Sequence, residues 1–243
     1  MLAARQRVPG GAAAATSGPL ANNKSLYKTM PFDSQKDLTP IALVGEIPLV
    51  IVSSPAVKAG SLKDFVALAK ANPAQYSVGH PGNGTIGHLA LEYFKTTTGS
   101  APQSVPYKGD TPAMTDLLGG QIQAISAPVS AFIPNIQGGK LTGLAVTSKK
   151  RFPGLPNVPT TAEAGLKGFE LEAWIGIFAP AATPADVVAK LSAQIKSALE
   201  LPETKTRADG AGVEARIGCT RCLNRGRFGI TGCSQPSHSG LVA

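Results

Sequence analysis

The sequence predicts an α/β fold in which a parallel sheet is covered by helices on both faces. Segments rich in β-branched residues alternate along the chain with amphipathic segments of about 10–15 residues, the pattern that βαβ units produce. The chain has 243 residues, of which 43% are hydrophobic and 16% are charged, so it can form one large domain or two small ones. The 27 glycines and 20 prolines predict many tight connections.

The first quarter of the chain is predicted to contain little regular structure before its first strands. Residues 1–15 are rich in alanine and glycine and show no periodicity, so we assign them no secondary structure. A turn and a short helix are expected over residues 16–23. Residues 41–52 are rich in β-branched side chains but are interrupted by Glu46 and Pro48, which predicts a strand, a turn and a second strand. This stretch is also too short for a transmembrane helix, which needs about 20 apolar residues.

From residue 61 onward, helices and strands alternate. Ser61 and Asp64 have the spacing of a capping box and open a helix that ends before Pro73. Thr183 is expected to cap, and Pro184 to begin, a long helix whose apolar residues line one face. Between these two helices we predict strands over residues 103–106, 122–126, 141–146 and 169–179 and further helices over residues 111–118 and 129–136.

The most informative stretch is residues 75–91, which predicts a short β run, a glycine-rich turn and the opening of a helix. The helix opens near Thr85 or Ile86, and Gly99 lies where a left-handed glycine would end it. The first turn of a helix presents unpaired amides and a partial positive charge, and glycines let a ligand approach them closely. The stretch therefore predicts a site for a carboxylate or a phosphate. A tight β–α connection that binds nothing is the alternative.

The net charge of +8 does not indicate a nucleic-acid surface, because the excess lies at the two ends of the chain. Residues 1–15 and 215–243 contain no acidic residue and hold six arginines: Arg5, Arg7, Arg216, Arg221, Arg225 and Arg227. The middle of the chain holds the other 17 basic residues and all 15 acidic ones, so its net charge is only +2. We therefore expect no nucleic-acid partner.

The tail from residue 215 onward has neither helical nor strand periodicity, and it holds all three cysteines of the chain. Cys219, Cys222, Cys233 and His238 form a C-x2-C-x10-C-x4-H pattern, which has the donor types of a zinc site. Metal modules usually also carry apolar residues in register with their ligands, and this tail does not. We therefore expect a disordered tail without metal, and a zinc site is the alternative.

An enzyme is the second class of function that the glycine turn suggests. Gly82, Gly84 and Gly87 match the G-x-G-x-x-G pattern of dinucleotide-binding turns. The strand that follows ends in Tyr107 and Lys108 rather than in the acidic residue that would hold a ribose, so the match is weak. The sequence has no G-x-S-x-G motif and no evident acidic partner for a histidine. We therefore expect no catalytic residue and no cofactor, with a nucleotide-dependent enzyme as the alternative.

Four side chains could add chemistry near the glycine turn. His88 lies in the opening turn of the helix, so its ring could lean back toward the glycines. Tyr107 and Lys108 could place a phenol and a cation beside them. For each of these three, an ordinary packed or solvated side chain is the alternative. Trp174, the only tryptophan, is expected in the core, with a cleft wall as its alternative.

Seven segments of the chain share their sequence, order and spacing with one family of transport proteins. They are TSGPLANNKSLYKTMPFD, DLTPIALVGEIPLVIVSSP, GNGTIGHLA, VPYKGDTPAMTDLLGGQI, LAVTSKKRFPGLPNVPTTAEAG, FELEAWIGIFAPAATPADVVAKL and GAGVE. They resemble the substrate-binding proteins of tripartite tricarboxylate transporters, the Bug or TctC family. The resemblance covers residues 16–214. It implies a type II periplasmic-binding-protein-like fold with parallel or mixed sheets, in which residues 16–52 and 174–214 form lobe 1 and residues 53–173 form lobe 2.

The resemblance also implies a function. It describes a periplasmic receptor without enzymatic activity, a monomer that closes on a small carboxylate and serves the membrane subunits of its transporter. The ligand class is a di- or tricarboxylate, an acidic amino acid or a related organic acid, and the sequence does not choose among these. Together with the glycine turn, the resemblance predicts these ligand-binding residues: Thr16, Ser17, Gly18, Asn22, Gly82, Asn83, Gly84, Thr85, His88, Tyr107, Lys108 and Ser130.

Both ends of the chain depart from the family pattern. Family members begin with an export signal and with a strand and helix that carry a P-G-G-x-x-D motif, which residues 8–11 match only superficially. The N-terminal residues lack the apolar run of a signal peptide, which favours the cytoplasm for the chain as written, whereas the resemblance favours the periplasm. We therefore expect a fragment, shifted in frame or interrupted at both ends, in which lobe 1 is incomplete, lobe 2 can fold alone and ligand binding is weak or lost.

Overall fold

Strands and helices alternate along the described part of the chain. The structure, a computed structural model, describes residues 11–29 and 32–218. Its strands are β1 (Ala13–Thr16), β2 (Leu38–Ser53), β3 (Ser77–His80), β4 (Gln103–Pro106), β5 (Ala124–Pro128), β6 (Thr142–Val146), β7 (Glu172–Pro180) and β8 (Glu214–Gly218). Its α-helices are α1 (Asn23–Leu26), α2 (Leu62–Ala71), α3 (Ile86–Thr98), α4 (Asp110–Leu118), α5 (Ile133–Gln137), α6 (Ala185–Glu200) and α7 (Pro202–Gly210). A π-helical turn (Gly18–Asn22) leads into α1, and 3-10 turns form at Pro73–Gln75 and Val129–Ala131.

β2 is the strand on which the whole sheet is built. The prediction of two strands separated by a turn is wrong, because the backbone stays extended through Glu46 and Pro48. Pro48 is tolerated because it lies where β2 changes partners: Pro48 pairs with Glu172 of β7, and Leu49 already pairs with Pro128 of β5. A missing amide donor disturbs a ladder least at such a break.

The change of partner divides the sheet into two half-sheets. The first half-sheet contains β1, β7, β8 and the beginning of β2, all joined in antiparallel fashion. The second contains β3 to β6 and the end of β2. In the second half-sheet β3 is parallel to both β4 and β5, as predicted, whereas β2 runs antiparallel to β5 and β6. The sheet is therefore mixed rather than purely parallel.

Thr147, just after β6, joins the two connections between the half-sheets. Its amide donates to the Leu49 carbonyl at 2.9 Å, and its hydroxyl accepts from the Leu49 amide at 2.9 Å. The Leu171 amide donates to the Thr147 carbonyl at 3.2 Å, and the Thr147 hydroxyl bonds to the Leu171 carbonyl. The chain passes from one half-sheet to the other at Leu49 and at Leu171. Thr147, which is fully buried, is therefore hydrogen-bonded to both crossing segments.

The apolar core is unevenly distributed between the half-sheets. Two large clusters cover the second half-sheet, one around Phe65, Phe94 and Phe169 and the other around Phe132 and Phe152. The first half-sheet has two small clusters, built on Ile41, Ala42 and Ala179 and on Leu43, Trp174 and Phe178. Trp174 is thus a core residue, as predicted. Helix α6 packs on the first half-sheet through residues that are only partly buried (Val188, Leu191 and Ile195).

Helix ends follow their local signals where a side chain can act as a cap. The Ser61 hydroxyl accepts from the Asp64 amide, and Gly99 ends α3 in the left-handed region, as predicted. Two boundaries differ from prediction. Helix α6 begins at Ala185 with Pro184 as its N-cap, so Thr183 does not cap it. The helix expected over residues 129–136 is split into a 3-10 turn and α5, because Pro134 cannot donate the amide bond that would join the two.

The chain ends bear on three further predictions. Residues 13–15, which we assigned no structure, belong to β1 and pair with β7. Residues 215–218, assigned to the tail, belong to β8 and pair with β2. The predicted zinc ligands Cys219, Cys222, Cys233 and His238 lie outside the described residues. Within residues 11–29 and 32–218, no group of three potential metal-ligating side chains occurs. No helix in this part of the chain has both the length and the apolar character needed to cross a membrane.

Candidate ligand-binding site

The glycine turn connects β3 to α3 and is held by its own hydrogen bonds. Thr85 is the N-cap of α3, where its hydroxyl accepts from the His88 amide at 3.4 Å and donates to the Gly82 carbonyl at 2.7 Å. Gly82 and Gly84 have φ values of +144° and +81°, which side chains rarely adopt, so the turn requires glycine at both positions. The structure thus confirms the predicted order of strand, glycine turn and helix.

Helix α3 starts close to the end of β5. At Gly87 a side chain would collide with the carbonyl of Ser126, so glycine lets the first turn of α3 approach β5 closely. The amides of Ile86 and Gly87 belong to that first turn, where no preceding residue offers a helical acceptor. β3 and β5 are parallel neighbours, and their carboxyl ends meet at the start of α3. Such edges of α/β sheets are where ligands usually bind.

Two histidine rings lie beneath the turn. His80 is completely buried, and its Nδ1 lies 3.3 Å from the Gly82 amide while its Nε2 lies 3.1 Å from the Ser104 hydroxyl. The Nδ1 of His88 lies 3.3 Å from the Gly84 amide. The rings stack with their centroids 4.6 Å apart. Burial, and secondarily the neighbouring His88, lowers the pKa of His80 below its ordinary value of 6.5.

The segment before and within α1 covers the turn from the other side. A side-chain carbon on Gly18 would lie 3.3 Å from the Gly84 carbonyl, so Gly18 permits this close approach. The Asn22 amide group donates to the same carbonyl at 3.4 Å. Asn23 lies so close that its Oδ1 would collide with any side chain at Gly84. The structure therefore places residues 18–23 against the glycine turn, while Thr16 lies exposed at the end of β1.

Several buried polar atoms around this junction have no hydrogen-bond partner among the described residues. The Ser17 hydroxyl is one; the residue is 4% exposed and directly precedes Gly18. The Ser126 hydroxyl is another; the residue is 3% exposed and lies in the middle of β5. The Asn23 Oδ1 is a third. An unsatisfied buried polar group costs about 1–3 kcal/mol, so these groups favour a ligand that would pair with them.

The other predicted site residues, Tyr107, Lys108 and Ser130, lie in the connections that follow β4 and β5. The Tyr107 hydroxyl donates to Asp116 of α4 at 2.7 Å. Burial, together with this hydrogen bond, raises the pKa of Tyr107 to about 12. Its hydroxyl is therefore committed to α4, while its amide donates to the His80 carbonyl at 3.0 Å. Lys108 is exposed in the connection to α4. Ser130, in the 3-10 turn after β5, contacts Gly212. Gly212 lies in the connection between α7 and β8.

Sequence reasoning did not identify four residues of this region: His80, Asn23, Ser126 and Gly212. The place of His80 at the end of the strand before a glycine turn was a usable signal. Ser126 lies in the middle of the neighbouring parallel strand, so no such signal marks it. Nothing in the sequence indicates that Asn23 or Gly212 lies close to the second half-sheet, since both contacts join residues that are distant in the chain.

Two surface cavities lie away from the junction. One, of about 380 Å³, is lined by residues that include Ser54, Lys58, Tyr76 and Gln123. The other, of about 390 Å³, lies between α2 and the connection from β6 to β7. Neither is lined by a residue of the glycine turn, and neither combines buried charged groups with an apolar wall. The junction at the start of α3 is therefore the better candidate site.

Comparison with solved structures identifies the class of protein. An R. palustris protein solved with adipate has a TM-score of 0.82 and 32% identity, and the match covers 87% of this chain and 71% of that one. The periplasmic binding protein BugD has a TM-score of 0.79 and 31% identity over 88% of this chain and 72% of its own. MatC from Rhodopseudomonas palustris, solved with bound malate, has a TM-score of 0.75 and 29% identity over 83% and 69%. The fold is therefore that of an α/β periplasmic binding protein.

The family follows from the sequence comparison. The family described as "Tripartite tricarboxylate transporter family receptor" (TctC) matches residues 3–225. Protein BugT of Bordetella pertussis is 37% identical over 185 residues, which are 76% of this chain and 57% of BugT. A UPF0065 protein of Pseudomonas sp. strain P51 is 33% identical over 205 residues, 84% of this chain and 61% of its own. The chain belongs to the TctC family of receptors, as the resemblance predicted.

The match covers only part of the curated relatives. The chain spans about three-fifths of the length of these two curated relatives. The family match reaches beyond residues 16–214 at both ends.

Proposed function

We propose that this chain captures a small carboxylate at the start of α3, between the glycine turn and the segment that contains Ser17 and Gly18. The observation that carries the proposal is the pair of buried, unpartnered hydroxyls of Ser17 and Ser126 beside a helix N-terminus. Relatives solved with adipate and with malate support the ligand class, since both molecules are dicarboxylates. Receptor function in a tripartite tricarboxylate transporter follows from the family.

The chemistry of the junction suits an anion. The amides of Ile86 and Gly87 and the positive end of the α3 dipole favour a carboxylate at this position. The Ser17 hydroxyl can donate a further hydrogen bond. Hydrogen bonds to a charged group contribute about 1.5–3 kcal/mol each, so three strong ones approach the roughly 8 kcal/mol that micromolar affinity requires when the site is already formed.

The predicted ligand-binding residues are assigned to two sides of the proposed site. Residues of the first segment (Thr16, Ser17, Gly18 and Asn22) line the carboxylate on one side, and residues of the turn and helix start (Gly82, Asn83, Gly84, Thr85 and His88) line it on the other. Tyr107, Lys108 and Ser130 form the wall that faces the rest of the ligand. Lys108, as an exposed cation, attracts a second carboxylate.

The proposal extends to domain organisation and partners. We assign residues 16–52 and 174–214 to one lobe and residues 53–173 to the other, with closure of the lobes completing the site. The chain works as a periplasmic monomer without catalysis and delivers its ligand to the membrane subunits of the transporter. Backbone amides read only the carboxylate, so the rest of the ligand is selected by the wall.

The test is a thermal melt with adipate, malate, citrate, glutamate and, for the enzyme alternative, NAD. A ligand at 100 times its Kd stabilises the folded chain by about 2.7 kcal/mol. Ser17→Ala is expected to leave the melt of the ligand-free chain unchanged, because the Ser17 hydroxyl has no partner to lose, and to weaken the carboxylate by about 1–3 kcal/mol.

Ser197→Ala, an exposed position on α6, is the matched control and should change neither quantity. Equal carboxylate affinity in Ser17→Ala and Ser197→Ala would exclude the proposed position of the ligand. A response to NAD alone would favour the nucleotide-dependent enzyme.

A further inference from the structure

We propose that His80 and His88 are positioning residues for the glycine turn, acting as a pair of neutral hydrogen-bond acceptors that leave the first-turn amides of α3 for the ligand. The inference rests on the proposed function for its consequence in binding. The geometry of the pair is independent of any ligand.

The pair joins the end of β3 to the start of α3 across the turn. His80 is the last residue of β3 and accepts from the Gly82 amide two residues later, with 3.3 Å between the nitrogens. His88 lies in the first turn of α3 and accepts from the Gly84 amide four residues earlier, also at 3.3 Å. The two rings stack at 4.6 Å with 29° between their planes, so neither acceptor can shift without displacing the other ring.

The hydrogen bonds fix the protonation state. Because Nδ1 of His80 accepts from an amide, its proton lies on Nε2, which faces the Ser104 hydroxyl at 3.1 Å. The same argument places the His88 proton on Nε2. Protonating either ring would turn an acceptor into a donor that opposes an amide N–H. It would also bring a positive charge against the neighbouring ring.

The charged groups around His80 do not favour its protonation strongly. Burial lowers the pKa of His80 most, His88 lowers it further and Lys95 lowers it slightly, while the Gly82 backbone and Glu92 raise it. Glu92 and Lys95, both on α3, form an ion pair at 2.8 Å, and their effects on the ring have opposite signs. Burial therefore favours the neutral form of His80, and protonation in acid would remove its acceptor.

The arrangement allocates the amides of the turn. Gly82 and Gly84 donate to the rings, and the His88 amide donates to the Thr85 hydroxyl. The amides of Ile86 and Gly87 remain for a carboxylate. The histidine pair thus determines where the anion binds by withdrawing the neighbouring donors, and His80 does this without touching the ligand.

The experiment compares acceptor-free with acceptor-retaining substitutions. His80→Phe keeps a ring of similar size but has no acceptor, and His80→Asn places a carbonyl oxygen near the position of Nδ1. Amide hydrogen exchange of Gly82 and Gly84, followed by NMR in the ligand-free chain, reads the turn directly. We expect exchange at Gly82 to accelerate at least about fivefold in His80→Phe, the factor that one ordinary hydrogen bond contributes, and to return toward the parent value in His80→Asn.

The second measurement is adipate affinity as a function of pH. We expect His80→Phe to weaken adipate at least about fivefold, since one hydrogen bond of ordinary strength is lost from the turn. Affinity should fall in the acid range, below the ordinary histidine pKa of 6.5, more steeply in the parent chain than in the double variant His80→Asn/His88→Asn. The double variant retains only the titration of the ligand's own carboxylates and is the matched control.

The outcomes separate the two proposals. Unchanged exchange at Gly82 in His80→Phe, or an equal pH dependence in the parent and the double variant, would overturn the positioning role. If His80→Phe does not fold, His88→Leu applies the same test to the Gly84 amide from the half-exposed side of the pair. A parent chain that responds to no carboxylate would refute the proposed function while the exchange measurement still decides the role of the histidines.

Discussion

Gly212→Ala tests whether the two half-sheets separate and close. Gly212 precedes β8 of the first half-sheet, and Ser130 follows β5 of the second. A side-chain carbon on Gly212 would lie 2.8 Å from the Ser130 Cβ, 2.9 Å from its Cα and 3.1 Å from its amide nitrogen. Two of these atoms belong to the backbone, so the overlap cannot be relieved by a side-chain rotation. The substitution therefore acts against the contact between the half-sheets.

The free-energy cost of Gly212→Ala has two parts, a backbone cost and an overlap cost, and a matched control separates them. Gly212 has φ +74°, where alanine costs about 1–2 kcal/mol. Gly168 has φ +78° and has no atom within 4 Å of an added side-chain carbon, so Gly168→Ala carries the backbone cost alone. Overpacking against a fixed backbone adds about 1–3 kcal/mol. The difference between the two variants is thus the cost of the overlap with Ser130.

The assay is a melt and an adipate titration of the parent chain, Gly168→Ala and Gly212→Ala. If the half-sheets open in the free chain, the overlap is absent there, and both variants should melt together. The overlap then returns on closure, so Gly212→Ala should bind adipate about 5- to 150-fold more weakly than Gly168→Ala, as about 1–3 kcal/mol implies. A lower melting temperature for Gly212→Ala than for Gly168→Ala, with equal affinities, would refute the reasoning because it would show that the contact persists without ligand.

Two further predictions concern titratable groups. The pKa of His80 is lowered, so the unfolded chain binds a proton that the folded chain resists; stability should be full above about pH 6.5 and decline below it, by at most about 1.4 kcal/mol per pH unit. Urea unfolding at pH 7.5 and pH 5.5 measures this decline in stability. A decline of equal size in His80→Phe would show that another group causes it. Tyr107→Phe should cost about 0.5–1.5 kcal/mol in urea unfolding, since it removes the hydrogen bond to Asp116. It should also remove the tyrosine that titrates at about pH 12 in an absorbance titration, and an unchanged titration would contradict the assigned pKa.

The sequence predicted best the elements whose ends depend on local chemistry. Ser61 and Gly99 act through neighbours three or four residues away, and they define helix ends as predicted. The glycine turn was also predicted. The turn itself imposes positive φ angles at Gly82 and Gly84, and these angles favour glycine. The seven family segments carried the assignment to the receptor family, which the comparisons confirm.

The failures involve residues whose role depends on distant partners. Pro48 breaks an ordinary strand, but β2 passes through it because β5 replaces β7 as the partner at that point. The hydrogen bond from the Tyr107 hydroxyl to Asp116, nine residues later on α4, was not predicted, and the place of Tyr107 near the ligand stays a prediction. The acceptor role of His80 depends on how the turn folds back over its ring. No pattern of spacing in a single sequence reports these distances.

Thr147 has a mechanical consequence for any motion between the half-sheets. Its hydrogen bonds with Leu49 and Leu171 fasten the two strands that cross between them, and Pro48 beside it offers no amide to stiffen the crossing. Displacement in a rotation grows with distance from the axis. With Thr147 at the axis, a turn of a few degrees leaves the crossing strands almost still and moves residues far from the crossing furthest. The Gly212–Ser130 contact lies close to that axis, because Pro128 pairs with Leu49 and Glu214 pairs with Glu46. The direction of closure would then be set at the crossing by one buried hydroxyl.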